Sequence, residues 1–280
     1  MNFVLLSQIF HLIAFESSTR RNQLETGALV ISVDVDVGSK LLGEKNEFCD
    51  ETIHNSIRES KLGEIEELAI PHLVKLSDDL AVPMTFAMRG QLTEINESVI
   101  DLIKSRKIEH DIGAHGYTHK CFTDLSASEA EDEFVKISKG MKRFNVKPKS
   151  FVFPKNRIAH LSLLEKYGYR SYRGDAGFKY DTLNVEKNGQ LCNVHPSFFL
   201  GRRPRPSLVN RIIDIAIKRK LPCHLWFHPW DLGLNELEIQ TRIEKLLLPI
   251  LGYAKKKEKA GVLSFETMTS IVDRFDEANN

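Results

Sequence analysis

The sequence lacks the patterns that mark several large classes of protein. It has no Gly-x-Gly-x-x-Gly or P-loop pattern, so a nucleotide site is unsupported. A formal net charge of +1 gives no drive toward nucleic acid or an acidic membrane. The four cysteines include no Cys-x-x-Cys pair, and nothing selects a disulfide pairing, so we expect reduced thiols in a cytoplasmic protein, with disulfides as the alternative. They are Cys49, Cys121, Cys192 and Cys223.

The sequence also lacks a long uninterrupted apolar run, an internal repeat and a low-complexity linker. The stretch Asn2 to Phe15 is apolar but broken by Ser7, Gln8 and His11, and it is too short to span a bilayer. No basic residue precedes its apolar part. We therefore expect residues 1–27 to form an amphipathic helical extension, with a degraded signal peptide as the alternative, and we expect no transmembrane segment.

What the sequence has is a regular alternation of short β-rich runs and helical patterns from residue 28 to residue 280. The first run, Ala28–Val35, is almost continuously apolar, as in a strand buried on both faces. Ser126 followed by Glu129 is typical of a capping box that opens a helix. The alternation predicts an α/β fold, a distorted (β/α) barrel with about seven parallel strands. Its functional residues should then lie at the carboxyl ends of strands.

The first polar cluster closes the first strand, where Ser32-Val33-Asp34-Val35-Asp36 carries two carboxylates two residues apart. In an extended strand both project to the same side. Two such charges at close range are costly unless they share a cation or a proton. The alternative is that the two acids merely cap the following helix.

The second cluster is His115-Gly116-Tyr117-Thr118-His119, directly after a predicted short strand. Two histidines four residues apart can meet one metal ion, although a zinc-protease motif would need Glu at position 116. Two imidazoles and one carboxylate suit zinc and similar ions and leave a coordination position open. A structural role for the pair is the alternative.

The third cluster, His224 to Trp230, ends a late strand. His224, Trp226 and His228 alternate with apolar residues and share one face of the strand. His228 lies at the strand end and is followed by Pro229. A role as a hydrogen-bonded core histidine is more credible for His224 than for His228.

Taken in this order, the three clusters resemble the motifs of the polysaccharide deacetylases, the family 4 carbohydrate esterases. Ser32 to Asp36 is similar to their first motif, Thr-Phe-Asp-Asp-Gly, in a variant with one residue between the acids. His115 to His119 is similar to their His-Ser/Thr-x-x-His motif, and Leu225 to Pro229 to their late Leu-x-x-His-Pro motif. Pro83 to Phe86 also resembles the family's second strand. The resemblance spans about residues 28–265.

The resemblance implies roles for five residues. Asp36, His115 and His119 would hold one divalent metal ion, with zinc expected first and cobalt, manganese or nickel as alternatives. Asp34 would be the general base and His228 the general acid.

The third motif departs from the family. The usual Arg-x-Pro-Tyr segment is Val152-Phe153-Pro154-Lys155, so the arginine that would orient the base is a valine. We expect the side chain of Lys155 or Arg157 to replace it and to approach the two acids. Asn156 and the amide of residue 155 are candidates for the position that stabilises the oxyanion.

The fourth motif, an acidic pair with tryptophan, is not recognisable, and Arg173-Gly174-Asp175 is the nearest polar stretch. The expected function is removal of an N-acyl group, N-acetyl first, from an amino sugar or glycan. Trp226 and Trp230 favour a sugar, because aromatic faces pack on pyranose rings, but core packing would explain them equally well. A catalytically inactive carbohydrate-binding protein on the same fold and a metal amidase for a small non-sugar amide are the alternatives. The oligomeric state does not follow from the sequence.

Overall fold

A computed structural model describes residues 24–36, 64–175 and 183–279 of the chain. The predicted N-terminal extension therefore lies, except for residues 24–27, outside the described residues, as does Cys49. The other three cysteines, Cys121, Cys192 and Cys223, are unpaired. None of the helices in the described ranges is long and apolar enough to cross a membrane.

The described strands, in chain order, belong to one sheet. They are β1 (Gly27–Val35), β2 (Thr85–Met88), β3 (Asp111–Ala114), β4 (Ser150–Arg157), β5 (Ser171–Asp175), β6 (Val185–Asn188), β7 (Leu191–Val194), β8 (Phe198–Phe199), β9 (Pro222–Phe227) and β10 (Leu263–Glu266).

The described helices connect these strands, and short 3₁₀ turns lie at Phe122–Asp124 and Leu200–Arg202. They are α1 (Glu64–Leu80), α2 (Leu92–Ile95), α3 (Glu97–Lys104), α4 (Ala127–Lys142), α5 (Leu161–Lys166), α6 (Pro206–Arg219), α7 (Pro229–Leu232), α8 (Glu236–Arg242), a π-helical segment (Ile243–Leu247), α9 (Leu248–Lys259) and α10 (Ser270–Asn279).

The sheet runs in the order β6-β7-β5-β4-β3-β2-β1-β9-β8, and all described pairings are parallel except β6 with β7. β9 occupies one edge of β1, so β10 and β2 share the other edge in succession, at Gly27–Val30 and Ser32–Val35. The result is the curled α/β half-barrel that the sequence predicts. It has more strands than expected because the short β6 and β8 lack a clear apolar run.

The pleat of β1 explains why the site forms at this end of the sheet. Its odd-numbered residues, Leu29 to Val35, belong to the large core cluster between the sheet and the helices. Ala28 and Val30 belong to a smaller inner cluster that α10 covers. The next even-numbered residues are Ser32 and Asp34, so the inner face changes from apolar to polar toward the carboxyl end of the strand.

Helix α4 begins as the sequence predicts. The Ser126 hydroxyl accepts the backbone N–H of Glu129 at 3.3 Å, and the Glu129 carboxylate accepts the backbone N–H of Ser126 at 2.8 Å. This capping box satisfies two backbone donors that an uncapped helix would leave without partners. It fixes the start of the helix that supports the His115–His119 loop.

Candidate active site

The three predicted metal ligands meet at the carboxyl ends of β1 and β3. One ligand atom each from Asp36, His115 and His119 lies within 4.8 Å of the others, and all three residues are buried. The Nδ1 of His115 lies 2.9 Å from the Val152 carbonyl oxygen. Because a carbonyl can only accept, we assign the hydrogen to Nδ1, which leaves the lone pair of Nε2 available for a metal ion. The set fits a divalent ion bound by two imidazoles and one carboxylate.

A glutamate that the sequence analysis missed holds the loop between the two histidines. One carboxylate oxygen of Glu133 accepts the N–H of Tyr117 at 2.7 Å and that of Thr118 at 2.9 Å, and the other accepts the Thr118 hydroxyl at 2.8 Å. Gly116, with φ of +67°, makes the left-handed turn that brings His119 back toward His115. The signal was present in the sequence, since Glu133 lies on the apolar face of helix α4.

The two neighbouring acids differ in their contacts. Trp230 donates its indole N–H to Oδ1 of Asp36 at 3.0 Å, and Nε2 of His119 lies 3.7 Å from Oδ2 of Asp36. Trp230 is itself buried and stacks on the ring of His228, with ring centroids 4.2 Å apart. Trp230 therefore supports Asp36 and His228 from within the core. This is the core-packing role that the sequence left open as the alternative to stacking on a sugar.

Asp34 forms a paired hydrogen bond with Arg173. Nη1 of Arg173 donates to Oδ1 of Asp34 at 2.8 Å, and Nη2 donates to Oδ2. The side chains are only 1% and 2% exposed. Burial alone would raise the pKa of Asp34, but the Arg173 guanidinium outweighs it and holds that pKa below its ordinary value. The geometry keeps Asp34 ionised and fixes its orientation.

This pairing corrects the expectation that Lys155 or Arg157 would approach Asp34. Both residues are exposed, and the cation that contacts Asp34 comes from the neighbouring strand β5. Val152 and Arg173 are direct partners in the β4–β5 ladder. The arginine is therefore displaced sideways by one strand, a relation that spacing along the chain does not reveal.

The backbone of β4 is irregular around the two predicted cations. Lys155 and Asn156 both have φ near +55°, at 56° and 55°, and the β4–β5 register shifts between Val152 and Arg157. This irregularity ends the regular alternation of side chains. Asn156 instead accepts from Nε of Arg173 at 3.2 Å, so it supports Asp34 through the arginine.

Polar and aromatic side chains from three strands hold Arg173 in place. Nη1 of Arg173 donates to the Ser32 hydroxyl at 2.8 Å, and that hydroxyl lies 2.8 Å from Nε2 of His224. His224 is fully buried, and burial lowers its pKa to about 3. It is a neutral core histidine, the role that its position in β9 suggested. The guanidinium carbon of Arg173 also lies 4.4 Å from the Trp226 ring centroid, and the Phe199 ring stacks on Trp226 at 4.2 Å.

His228 faces the acids from the end of β9. Its Nε2 lies 4.0 Å from Oδ2 of Asp34 and 3.9 Å from Oδ2 of Asp36. Its Nδ1 lies 2.8 Å from Oδ2 of Asp231, which also accepts the His228 backbone N–H at 2.9 Å. Burial opposes protonation, but Asp36, Asp231 and Asp34 together raise the pKa of His228. The imidazole is thus held ready to donate a proton from Nε2.

Asp231 was not among the residues predicted from the sequence. It is the third residue of the short helix α7, whose N-cap is His228 and whose first residue is Pro229. A proline followed by an acid at the third helical position is a recognisable helix start. That signal could have identified the carboxylate that orients His228.

Comparison with known proteins agrees with this architecture. The polysaccharide deacetylase family model matches residues 65–172, which include His115 and His119 but not Asp34, Asp36, Arg173 or His228. A search of curated proteins finds no match.

Solved structures show a similar fold at low sequence identity. A Mycobacterium smegmatis protein assigned as a polysaccharide deacetylase has a TM-score of 0.69 at 16% identity, over 93% of each chain. A similarly assigned protein from Pseudomonas aeruginosa PAO1 has a TM-score of 0.63 at 14% identity, over 89% of this chain and 91% of that one. Puue allantoinase has a TM-score of 0.66 at 13% identity, over 95% and 96%. The resemblance predicted from the sequence is confirmed: the chain has the fold of the polysaccharide deacetylases and matches their family over residues 65–172.

Proposed function

We propose that this protein hydrolyses the N-acyl group, N-acetyl first, of an amino sugar, with the aid of one divalent metal ion. The observation that carries the proposal is the convergence of five side chains from three strand ends. Asp34, Asp36, His115, His119 and His228 are all buried or nearly so, and Nε2 of His228 lies within 4.0 Å of both acids.

Each of these side chains has a task in amide hydrolysis. Asp36, His115 and His119 would hold the cation, and a cation bound there would polarise the acyl carbonyl and lower the pKa of water. Asp34, kept ionised by Arg173, accepts a proton from the attacking water as the new C–O bond forms. His228 donates a proton from Nε2 to the sugar nitrogen as the C–N bond breaks, so that the amine leaves neutral. Acetate and the free amino sugar are the products.

The supporting contacts favour an enzyme over a protein that only binds carbohydrate. Binding alone would not need a buried Arg173–Asp34 pair or a carboxylate fixed on Nδ1 of His228. Buried charges of this kind are costly, and they are best explained as groups held for proton transfer.

The decisive experiment is acetate release from N-acetylated amino sugars and their oligomers, with a hydantoin included as a cyclic amide. We expect release with protein containing zinc or cobalt, loss of release on chelation and recovery when metal is restored. His119→Ala should be inactive under all three conditions. Acetate release that survives complete metal removal would contradict the proposal. Full metal loading without turnover of any sugar would favour the binding protein, and ring opening of the hydantoin alone would favour the small-amide hydrolase.

A further inference from the structure

A pocket of about 480 Å³ includes in its lining Leu232, which follows His228 by four residues in the chain. One wall follows the carboxyl end of β8 and contains Arg203, and another contains Leu232, the last residue of α7. Helix α8 and the π-helical segment complete it with Arg242 and Lys245. Because parallel strands place their following loops at one end of a barrel, the pocket shares that end with the active site.

The lining of this pocket is predominantly positively charged. Its lining contains three basic side chains, those of Arg203, Arg242 and Lys245, and one acid, Glu238. Glu238 is already engaged, since its carboxylate accepts the Leu234 N–H at 2.9 Å. Within the described ranges, none of the three basic side chains forms an ion pair within 4.0 Å, and the buried Nε of Arg242 has no hydrogen-bond partner.

A bound anion would stabilise the positively charged lining. Burial and then repulsion from Arg203 lower the pKa of Arg242, and attraction from Asp231 and Glu238 offsets this lowering only in part. The lining itself holds three cations and one acid, an excess of two positive charges, and Asp231, which attracts Arg242 from outside the lining, is already paired with His228. A phosphate monoester carries about −1.5 to −2 at neutral pH, whereas a carboxylate carries only one charge. Arginine forks also match phosphate oxygens in pairs.

Asp231 connects this pocket to the catalytic histidine. It accepts from His228, and the next residue, Leu232, lines the pocket. On the other side, the chain at Gly201 packs so closely that a Cβ there would lie 2.5 Å from Oδ1 of Asp231. Helix α7 rises about 1.5 Å per residue, so Leu232 lies only about 6 Å along the axis from His228. One sugar with a phosphate substituent can span such a distance.

We propose that this pocket binds a phosphate group carried by the substrate, so that the protein acts on a phosphorylated N-acyl amino sugar. The inference rests on the proposed function for the acyl-bearing part of the molecule. Two kinds of substrate carry such a phosphate, a soluble sugar phosphate and a sugar phosphate esterified to a lipid, and both present phosphate oxygens to Arg203 and Arg242.

The test compares N-acetylglucosamine with N-acetylglucosamine 1-phosphate in wild type, Arg242→Gln and Arg205→Gln. Arg205 is an exposed arginine of the same segment that does not line the pocket. Loss of one charge-assisted hydrogen bond predicts a KM for the phosphorylated sugar roughly 10- to 100-fold higher in Arg242→Gln, with kcat retained. The KM of the uncharged sugar should stay unchanged in Arg242→Gln. In Arg205→Gln, the KM of each of the two sugars should stay unchanged.

A second arm presents the phosphorylated sugar as a lipid ester in neutral vesicles. If Arg242→Gln raises the KM only for the lipid ester, the pocket is assigned to a lipid-linked substrate. If it raises the KM for the soluble sugar phosphate, the pocket is assigned to that substrate. If acetate release in both arms is indifferent to Arg242, the inference is overturned.

A third measurement separates this inference from the proposed function. Binding of inorganic phosphate is followed calorimetrically in the inactive His119→Ala protein, with and without Arg242→Gln. Binding that depends on Arg242 would support the pocket even if no sugar is deacetylated. Deacetylation without any preference for phosphate, together with no phosphate binding, would refute the pocket and leave the proposed function standing.

Discussion

At the scale of single residues, Asp34 and Asp36 share a strand face but have different contacts, which predicts different consequences when each is changed. Asp34→Asn should retain the metal ion and lose roughly 10²- to 10⁴-fold in rate, the usual contribution of a general base. Asp36→Asn should lose the ion itself, because Asp36 would supply the carboxylate of the proposed ligand set. Metal content and acetate release are measured on protein whose folding is checked by circular dichroism. Loss of metal from Asp34→Asn and its retention by Asp36→Asn would reverse the assignment.

A second residue-scale prediction concerns the cation beside Asp34. Arg173→Gln leaves a buried carboxylate without its partner, which costs about 3–5 kcal/mol in free energy of unfolding. Arg157→Gln removes an exposed arginine from the adjacent strand and should change that free energy by less than about 0.5 kcal/mol. Urea denaturation gives both values. Similar values for the two variants would show that Arg173 does not carry the role that its hydrogen bonds indicate.

At the scale of the secondary-structure elements, two helical glycines predict opposite effects of the same substitution. A Cβ at Gly140 in α4 would lie 2.3 Å from Oγ1 of Thr93, whereas a Cβ at Gly252 in α9 would meet nothing within 4 Å. Gly140→Ala should therefore destabilise the fold by about 1–3 kcal/mol through overpacking. Gly252→Ala should stabilise it by about 0.5–1 kcal/mol, because alanine is the better helix former. Equal shifts in the urea midpoint would contradict the packing of α4 against α2.

The elements that the sequence predicted best are those with continuous apolar runs. The β-rich runs of the sequence form strands, and the clearest of them, β1 and β9, are buried along almost their whole length. β6, with the sequence Val-Glu-Lys-Asn, is mostly exposed, and β8 has two residues, so neither leaves such a signal. The sequence pattern over residues 236–259 predicts one long helix, but the π-helical segment Ile243–Leu247 interrupts it, two residues before Pro249. Proline lacks the N–H that would continue the regular ladder.

In the candidate site, too, some residues could be predicted from local sequence patterns and others could not. Asp34, Asp36, His115, His119 and His228 follow strand ends, so motif and position along the chain were enough to single them out. Their supporting residues depend on the third dimension. Arg173 reaches Asp34 because β4 and β5 pair in one particular register, and no spacing in the sequence encodes that register.

At the scale of the whole molecule, the titration of His110 predicts that the free energy of unfolding falls at acidic pH. It precedes β3 at the end opposite His115, its Nδ1 accepts the Met84 N–H at 3.2 Å, and burial lowers its pKa to about 4. The folded pKa lies below the unfolded value of about 6.5. The contribution of neutral His110 to stability is therefore complete above pH 6.5 and is lost as the pH falls from about 6.5 to about 4.

This contribution amounts to at most about 3 kcal/mol. His110→Gln keeps an acceptor for Met84 but cannot titrate, so its free energy of unfolding should fall less over that pH range than that of the wild type. Urea denaturation at several pH values measures both curves. Parallel curves would show that another group causes the acid sensitivity.

The lateral pairing of Val152 with Arg173 also bears on how active members of a fold are told from inactive ones. A motif scan that inspects position 152 alone would score this chain as having lost an essential arginine and would class it with degenerate descendants. The guanidinium nevertheless reaches the carboxylate from one strand away, about 4.8 Å to the side. What must be preserved is a positive charge beside the carboxylate, and an arginine on either of two neighbouring strands can supply it. Surveys that search ladder partners as well as linear motifs should therefore recover chains that motif scans discard.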